Sequence, residues 1–458
     1  MSDATSLKIA YIGGGSRQWA RAFMADLALA SHLTGELVLH DLNRATARKN
    51  THVGADLFSR PESVANWRVT AEPHLTTALH RADVVMLSIE PGPVTMRYAD
   101  LGIPQRHGIL QPVGDTVEPG GLMRALRVIP TYVEFARAIA EHCLRAWVIH
   151  YTNPMTLCTA ALHVEFSGIK VLGCCHEVFG TQRFLADLVA KSHQIPATPR
   201  EEIDLDIAGI NHFTWATRAG WRGQDLFPLI DTLIGRPRAF ANASRRSRAN
   251  QAAGRWFAHS SLVALDLFRR YSALRAAGDR HLVEFLPEYS TDTATLHRWG
   301  IIATPYRWRL QHRAGPDETL PTLRKRPLKP SGEEGVRMLE ALFGHGDLRS
   351  SINLSNRGQM PGLPTGAVVE TMACFSSGAL TPQVPQALPS AALNRVRHIS
   401  CVQTLVLEAA LQQDLSAVLV DPLCHGSVDR LHKMFRHMIK HCHNHLRGWN
   451  APSIPEFR

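Results

Sequence analysis

The sequence predicts an α/β protein in which a doubly wound parallel sheet is followed by a mixed α+β catalytic domain. Apolar runs typical of buried strands alternate with amphipathic stretches over the first 175 residues, and the first run ends in a glycine-rich turn. Beyond about residue 200 this alternation breaks down. The N-terminal pattern is that of a Rossmann-like domain. Since 458 residues exceed what one hydrophobic core supports, we expect two domains, residues 1–200 and 201–458.

The N-terminal strands and helices are predicted from short apolar runs and the stretches that follow them. The predicted strands are LKIAYIG, ELVLHD, ADVVMLSI, AWVIHYT and GIKVLGC, and the predicted helices begin near Arg17, Arg44, Gly121 and Met155.

Fewer regular elements are predicted in the C-terminal half. These are a strand at IDLDIAGI, a helix over 260–270, a basic proline-containing segment over 320–332, a helix from Glu333, a strand at VVETMACF and long helices from Ala391 to the end. We find no internal repeat.

Composition limits the function classes. A formal charge of +10 permits nucleic-acid binding but also suits an enzyme with anionic substrates. The basic runs 236–248 and 324–329 lack interleaved aromatic residues, so we expect solvated loops there and no nucleic-acid partner. No apolar stretch is long enough to cross a bilayer and the start resembles no signal peptide, which predicts a cytoplasmic protein without a membrane partner. The eight scattered cysteines are expected to be reduced thiols.

A candidate dinucleotide site lies at the end of the first predicted strand. The turn there consists of Gly13, Gly14, Gly15 and Ser16. Small residues let the backbone approach a pyrophosphate at a helix start. The third fingerprint glycine is replaced by Gln18, and a tight strand-to-helix turn explains the glycines equally well. Asp41 ends the next strand, where a ribose needs an acceptor, and this favours NAD binding.

Polar residues recur where the later strands end. They are Ser88, Asn153, Cys175 and His176. Because the carboxyl ends of parallel strands line the ligand crevice of such sheets, the repetition predicts a site there.

The segment GINHF places Asn211 and His212 after another apolar strand. A single histidine in that setting is usually a satisfied core or edge residue. Together with Cys175, however, His212 could bind a divalent ion and leave coordination positions open for a substrate.

Two further clusters carry titratable groups. In AAGDRHLVEF, Asp279 could act as a general base and Arg280 could hold an anion, but a surface turn with a salt bridge is the favoured interpretation. Several histidines lie over 437–445, where an exposed helix face is a better explanation than a metal site.

The ordered motifs together resemble glycoside hydrolase family 4, the NAD-dependent glycosidases. The resemblance extends over almost the whole chain and rests on IAYIGGGS, QPVGDTVEPGGLMRALRVIP, YTNPM, GCCHEVFGTQ, GINHFTW, AGDRHLVEFLP, NLSNRGQMPGLP and VVET. Within the family, CCHEVFGTQ and GDRHLVEFLP are most similar to the α-galacturonidase branch, whose substrates carry a C6 carboxylate.

The resemblance implies an oxidation and elimination mechanism that ends without net redox change. Bound NAD would accept hydride from C3 of the sugar, a base would remove the C2 proton, the aglycone would leave, water would add and hydride would return. A metal on O2 and O3, with Mn²⁺ expected, would stabilise the enolate.

The resemblance also implies roles for individual residues. Cys175 and His212 would bind the metal, and Asp279 would be the C2 base. Asn153 would hold sugar hydroxyls, His176 would face the leaving group as acid or orienter, and Asn211 is expected near the substrate. The candidates for the C6 carboxylate, Arg280 and His281, rest on physical reasoning rather than on the family pattern.

One residue departs from the family pattern. Glu118 stands where a glycine is usual, and a carboxylate there would repel anionic sugars unless it points away. The alternatives are the same mechanism on an α-galactoside, α-glucoside or sulfonated sugar, and a malate-type dehydrogenase. Family resemblance also implies a homodimer or homotetramer.

Overall fold

The computed structural model describes residues 4–90, 92–235, 240–258, 260–415, 424 and 426–450. The start of the basic run 236–248 and the last eight residues of the predicted C-terminal helices therefore lie outside the described residues.

The described strands join one thirteen-stranded sheet. They are β1 Thr5–Ile12, β2 Leu33–His40, β3 Trp67–Ala71, β4 Val84–Leu87, β5 Trp147–His150, β6 Lys170–Gly173, β7 Ile203–Ile210, β8 Phe213–Trp221, β9 Gln224–Asp225, β10 Leu274–Arg275, β11 Leu348–Ser355, β12 Val368–Ser376 and β13 Ala379–Pro382.

The α-helices cover both faces of this sheet. They are α1 Trp19–Ala28, α2 Arg44–Phe58, α3 Leu75–Leu79, α4 Ile103–Arg106, α5 Pro119–His142, α6 Met155–Glu165, α7 Glu177–His193, α8 Phe227–Ile234, α9 Ala243–Ala252, α10 Leu262–Tyr271, α11 Asp279–Leu282, α12 Thr293–Arg298, α13 Tyr306–Ala314, α14 Leu320–Arg324, α15 Gly335–Leu342, α16 Ser390–Gln412 and α17 Val428–His441.

The first six strands are parallel and lie in the order β3-β2-β1-β4-β5-β6. The chain moves outward from β1 in one direction through β2 and β3, and then in the other direction through β4 to β6. This reversal between β1 and β4 is the topological switch point at which open α/β sheets bind ligands. The prediction of a doubly wound N-terminal sheet is confirmed.

The remaining strands are antiparallel and continue the same sheet in the order β6-β11-β12-β7-β8-β10. Only one residue pair, Asn353 with Gly173, joins β11 to β6. Asn353 also pairs with Glu370 of β12, and Glu370 pairs with Gly209 of β7, so that these residues form one row across the sheet. Because Gly173 ends β6 and Gly209 lies near the end of β7, the turn that follows β7 lies level with the carboxyl ends of the parallel strands.

Different helices cover the two faces of the parallel sheet. On one face α5, α6 and α17 pack over β1, β4 and β5 through residues such as Leu126, Leu162 and Phe435. On the other face α1, α2 and α15 pack through Phe23, Val53 and other apolar side chains. Both faces are covered, which explains why the parallel strands have continuous apolar sequences.

The structure corrects the sequence prediction at several elements. The sequence pattern predicted neither the strand β3 nor the helix α7. The run 236–248 was expected to be a solvated loop, but its described part enters α9, whose small and long-chain residues favour a helix. Among the described helices, none is both long and apolar enough to span a membrane. The division between residues 200 and 201 stays a prediction.

The second basic run, 324–329, was expected to be a solvated loop, and all of its residues except Leu328 are exposed, although Arg324 ends α14. The segment 315–329 that contains this run lies across α1 and α2. The Asp317 carboxylate accepts two hydrogen bonds from the guanidinium group of Arg21, at 2.9 and 2.7 Å, and lies 2.7 Å from Lys49 Nζ. The Arg60 guanidinium donates to the backbone carbonyls of Leu323 and Arg326. This segment therefore depends on ionic contacts with the N-terminal helices.

We expect Asp317→Asn to loosen the segment 315–329. Burial opposes ionisation of Asp317, but hydrogen bonds from Arg21 and Lys49 lower its pKa below the ordinary value. Losing the charge should destabilise the segment by about 1–3 kcal/mol, so the amide hydrogens of Leu323 and Arg326 should exchange roughly tenfold faster or more. Hydrogen exchange measured by mass spectrometry checks this.

The same experiment has a pH dependence and a control. Because the pKa is lowered in the folded state, the stabilisation is present above about pH 4 and is lost as pH falls through the folded pKa. The difference between wild type and Asp317→Asn should thus shrink below about pH 4. The control is Asp204→Asn, which removes an exposed carboxylate that also pairs with two arginines. Equal exchange in wild type and Asp317→Asn would contradict the ionic anchoring.

Candidate functional site

A single cavity of about 1940 Å³ runs along the carboxyl ends of the parallel strands. One part is lined by the glycine turn after β1, and another by residues after β6 and β7 and by α11. The predicted site residues in its wall are Gly13, Gly15, Ser16, Asp41, Ser88, Asn153, Cys175, His176, His212 and His281. The predicted residues Gly14, Asn211, Asp279 and Arg280 are not among those that line it.

The turn after β1 requires glycine for steric reasons. Gly13 has φ of +90°, and a Cβ atom there would lie 1.9 Å from the carbonyl oxygen of Ser88. A Cβ atom on Gly14 would lie 2.7 Å from that of Leu39. Both close approaches bring the start of α1 against the ends of β2 and β4, which is the packing that a dinucleotide-binding turn needs.

Asp41 holds the turn as well as facing the cavity. One carboxylate oxygen accepts the N–H of Gly15 at 2.9 Å, and the other accepts the N–H of Asn43 at 2.8 Å. Each oxygen keeps a further lone pair, so the carboxylate fits a ribose hydroxyl without rearrangement.

Asn153 lies three residues after the end of β5 and precedes Pro154 through a cis peptide bond. Its side-chain oxygen is buried and makes no hydrogen bond to any described residue. A buried amide oxygen in a cavity wall is expected to have a partner, and a sugar hydroxyl is a suitable donor.

Cys175 follows β6 and is buried in the cavity wall. Burial raises the pKa of its thiol well above the ordinary value, and the carboxylates of Glu370 and Glu177 raise it further, against hydrogen bonds from the Glu177 backbone and Asn211. The thiol is thus protonated in the protein alone, and it would ionise only on binding a metal. Its role as a ligand stays a prediction.

His212 occupies the two-residue turn between β7 and β8 with φ of +62°. Few residues other than glycine adopt this left-handed conformation, which is often found at functional sites. The ring is buried, its Nδ1 lies 2.9 Å from the Thr116 hydroxyl, and it packs on His281 with 3.8 Å between ring centroids. Burial, together with the neighbouring His281, lowers its pKa to about 3, so the imidazole is neutral as a metal ligand must be.

Four side chains converge on the space beside His212. Potential ligand atoms of Asp115, His212, His281 and Glu284 all lie within 4.8 Å of one another. Two imidazoles and two carboxylates form a nitrogen and oxygen set that suits Mn²⁺ and related divalent ions. Cys175, the other predicted ligand, is not a member of this group.

His281 lies among carboxylates. Its Nδ1 is 2.9 Å from Glu284 Oε1 and 3.8 Å from Asp115 Oδ1, and its Nε2 is 3.7 Å from Glu177 Oε1. Although burial lowers its pKa, Glu177, Glu284 and Asp115 raise it to about 9. Burial opposes ionisation of Glu177, but His281, His212 and His176 lower its pKa to about 2. A positive charge on His281 therefore balances the negative charge of these carboxylates. A divalent cation bound among them could balance the same charge.

His176 is partly exposed in the cavity wall. Its ring stacks on Trp19, with 5.7 Å between centroids, and its Nδ1 lies 3.4 Å from Glu333 Oε1. This arrangement fixes the ring at the cavity surface, where it could face a leaving group.

Three predicted residues are placed away from the cavity. The Asp279 carboxylate accepts backbone N–H groups of Val263 and Ala264 at the start of α10, at 3.1 and 3.0 Å. The Arg280 guanidinium donates to the carbonyl of Pro112 at 2.6 Å. Asn211 is fully buried beside Cys175.

Glu118, the residue that departs from the family pattern, precedes α5 and is buried outside the cavity wall. Burial raises its pKa well above the ordinary value, and Glu284 and Asp115 raise it further. Because Glu118 does not line the cavity, its carboxyl group does not face the space available to an anionic sugar, and the expected conflict is absent from this structure.

Comparison with known proteins decides the family. Residues 8–191 match the description family 4 glycosyl hydrolase, and residues 207–424 match the C-terminal domain of the same family. The chain belongs to glycosyl hydrolase family 4, and it is a glycoside hydrolase. The resemblance inferred from the ordered motifs is confirmed.

Similar family 4 proteins include an α-galacturonidase from Thermoanaerobacterium saccharolyticum, with 41% identity over 97% of both chains. An α-galacturonidase from Bacillus subtilis is 40% identical over 96% of this chain and 98% of its own. Among solved structures, a Bacillus subtilis protein described as a candidate glucosidase, lplD, has a TM-score of 0.86 and 39% identity and covers 94% of this chain and 99% of its own. The 6-phospho-β-glucosidase of Thermotoga maritima shares the fold, with a TM-score of 0.73, 16% identity and 97% and 100% coverage.

Sequence reasoning missed several residues of this family 4 site. Asp115, Glu177 and Glu284 lie inside quoted motifs, GDT, GCCHEVFG and GDRHLVEF, yet had no predicted role. A signal was available for Glu177, which adjoins His176, and for Glu284, which follows His281 by three residues, whereas Asp115 has no histidine or cysteine beside it in the sequence.

We expect Gly13→Ala to abolish NAD⁺ binding, because the new methyl group cannot occupy the space of the Ser88 carbonyl without moving β4 or the turn. Titration with NAD⁺ followed by tryptophan fluorescence measures the affinity. The control is Gly223→Ala, which has φ of +81° but no atom within 4 Å of the new Cβ. The control separates backbone strain from steric conflict, and wild-type affinity in Gly13→Ala would contradict the assignment of the turn.

We expect Asp115→Asn and Glu284→Gln each to weaken Mn²⁺ binding by about 10- to 100-fold, because each removes a charged oxygen from the group. Electron paramagnetic resonance of free Mn²⁺ measures this without substrate. The control is Glu288→Gln, which changes a carboxylate near α11 that pairs with Arg395 on the surface. Unchanged affinity in both test variants would show that the ion binds elsewhere.

Proposed function

We propose that this glycosidase is an α-galacturonidase that depends on NAD⁺ and a divalent metal, with Mn²⁺ as the expected ion. The observation that carries the proposal is the single cavity joining the glycine turn to the group of two imidazoles and two carboxylates. The α-galacturonidases that are about 40% identical over nearly the whole chain support the substrate class.

Both cofactors fit the residues present. The 6-phospho-β-glucosidase of Thermotoga maritima was solved with manganese and NAD⁺. In this chain the turn 13–16, Asp41 and Ser88 would hold the dinucleotide, and His212 with Asp115, His281 and Glu284, or with Cys175, would hold the metal. When bound, NAD⁺ supplies a hydride acceptor for C3 of the sugar, and the metal supplies Lewis-acid stabilisation of negative charge on the sugar oxygens.

The chain itself binds and orients the sugar. Asn153 offers its buried side-chain oxygen to a hydroxyl group, and His176, fixed between Trp19 and Glu333, faces the leaving group as acid or orienter. The Asn153 oxygen is buried, which strengthens a polar contact made there, whereas His176 is partly exposed.

The acceptor of the C2 proton is proposed to be a carboxylate. Asp279 is the predicted residue, but in this structure its carboxylate faces the start of α10, where it accepts two backbone hydrogen bonds. Asp115 and Glu177 are the carboxylates of this region that lie in the cavity wall. Exchange of the C2 hydrogen therefore has to be compared in Asp279→Asn and Glu177→Gln.

Recognition of a C6 carboxylate by Arg280 and His281 stays a prediction. His281 lies in the wall and carries positive charge in the protein alone, whereas Arg280 is directed at Pro112 and the Thr304 hydroxyl. A homodimer or homotetramer is likewise proposed only from resemblance, and a cytoplasmic location only from the lack of a long apolar stretch in the sequence.

The proposal is tested by hydrolysis of an aryl α-D-galacturonide and the matching α-galactoside, with NAD⁺, Mn²⁺ and a thiol reductant each present or omitted. We expect turnover of the galacturonide only, abolished without NAD⁺ or Mn²⁺. In D₂O the product should carry deuterium at C2, since that proton is removed and replaced.

Each other outcome has a definite meaning. Turnover of the galactoside alone would keep the mechanism and exclude carboxylate recognition. Accumulation of NADH in proportion to substrate consumed would favour the malate-type dehydrogenase. Turnover without cofactor and without deuterium at C2 would exclude the redox-elimination mechanism.

A further inference from the structure

Arg275 is a fully buried cation behind the cavity wall. It lies in β10, opposite Trp215 of β8, and its guanidinium group stacks between the rings of Phe213 and Trp215 at 4.2 and 4.6 Å. These two aromatic residues are two positions apart on one face of β8, so they form a channel that leads along the strand to the turn at 211–212.

The guanidinium group reaches that turn. Its Nη2 donates a hydrogen bond to the carbonyl oxygen of His212 at 2.8 Å. The remaining nitrogens, Nε and Nη1, are buried and make no hydrogen bond to the described residues. Two carboxylates, Glu370 and Asp279, lie near enough to balance its charge.

A buried guanidinium with unused donors is a costly core residue, and apolar side chains in place of the arginine and its carboxylate partners would fill the same space at lower cost. What the arginine adds is the hydrogen bond to His212, whose left-handed backbone has to be held by its surroundings. The backbone of β10 is itself fixed, since Ala276 N–H donates to the Thr214 carbonyl at 2.8 Å.

Arg275 also connects two segments of the candidate metal group. His212 comes from the turn after β7, whereas His281 and Glu284 follow β10 by six and nine residues. A contact from β10 to the His212 carbonyl therefore sets the distance between the two histidines.

We propose that Arg275 is a positioning residue that fixes the His212 turn and so adjusts divalent-metal binding in the cavity. The inference rests on the metal role in the proposed function, but the position of His212 can be measured without metal.

The test compares Arg275→Met, which keeps length and packing but removes charge and donor, with Arg275→Lys, which keeps the charge and one donor group. Mn²⁺ affinity is measured by electron paramagnetic resonance, and melting temperature by calorimetry without metal. We expect Met to weaken Mn²⁺ binding at least tenfold and Lys to have an intermediate effect. Because Arg275→Met leaves Glu370 and Asp279 without their cation, its melting temperature should fall, whereas Arg275→Lys, which keeps the charge, should melt closer to wild type.

A merely structural role predicts wild-type Mn²⁺ affinity in the folded fraction of both variants, whatever their melting temperatures. That result would overturn the proposal. If the Met variant does not fold, wild-type affinity in the Lys variant would also overturn it. The matched control is Arg200→Lys, because Arg200 likewise stacks on an aromatic ring, Phe179 at 4.1 Å, and pairs with Glu334 outside the cavity wall.

A second readout separates this inference from the proposed function. Hydrogen–deuterium exchange at the imidazole C2–H of His212, followed by mass spectrometry without metal, should be several-fold faster in Arg275→Met. If wild type binds no Mn²⁺, the proposed function fails, and the His212 exchange rate still decides the role of Arg275. Unchanged exchange in both variants would show that Arg275 does not fix the turn.

Discussion

One row of backbone pairs determines where the site can form. Gly173, Asn353, Glu370 and Gly209 are successive partners across β6, β11, β12 and β7. Because β11 pairs with β6 only at Gly173, the last residue of β6, the antiparallel half of the sheet is displaced beyond the carboxyl ends of the parallel half. The turn carrying His212 thereby arrives beside the residues that follow β6. A longer pairing between β6 and β11 would cover the same edge and leave no cavity.

Charge burial is the second constraint, and it follows from the first. The row places Asn353 and Glu370 in the interior, where the Asn353 amide donates to Glu370 at 2.9 Å. Next to them lie the carboxylates around His281 and the cation of Arg275. Buried charges are tolerated only when they are paired, so each of these groups limits the position of its neighbours. The positions of the side chains in the cavity wall are therefore set by electrostatic interactions as much as by packing.

Much of the fold could be predicted because its signals are local. The strand β1 and the turn after it are specified by consecutive apolar residues and glycines, and the same holds for β7 and β12. The strand β3, WRVTA, is short and half-exposed at the sheet edge, so its alternation is weak. The packing of 315–329 was unpredictable because it depends on Arg21 and Lys49, which lie more than 260 residues earlier.

A sequence motif does not show which of its residues faces the cavity. GDRHLVEF was interpreted as one functional unit, yet successive residues of a helix project about 100° apart. On α11 this rotation directs Asp279 to the start of α10 and Arg280 to Pro112, and it directs His281 to the cavity. Sequence order predicts that three such residues lie together. Which of them faces a ligand depends on the helix phase, and that phase is set by the hydrogen bonds between Asp279 and α10, a tertiary contact that the motif does not contain.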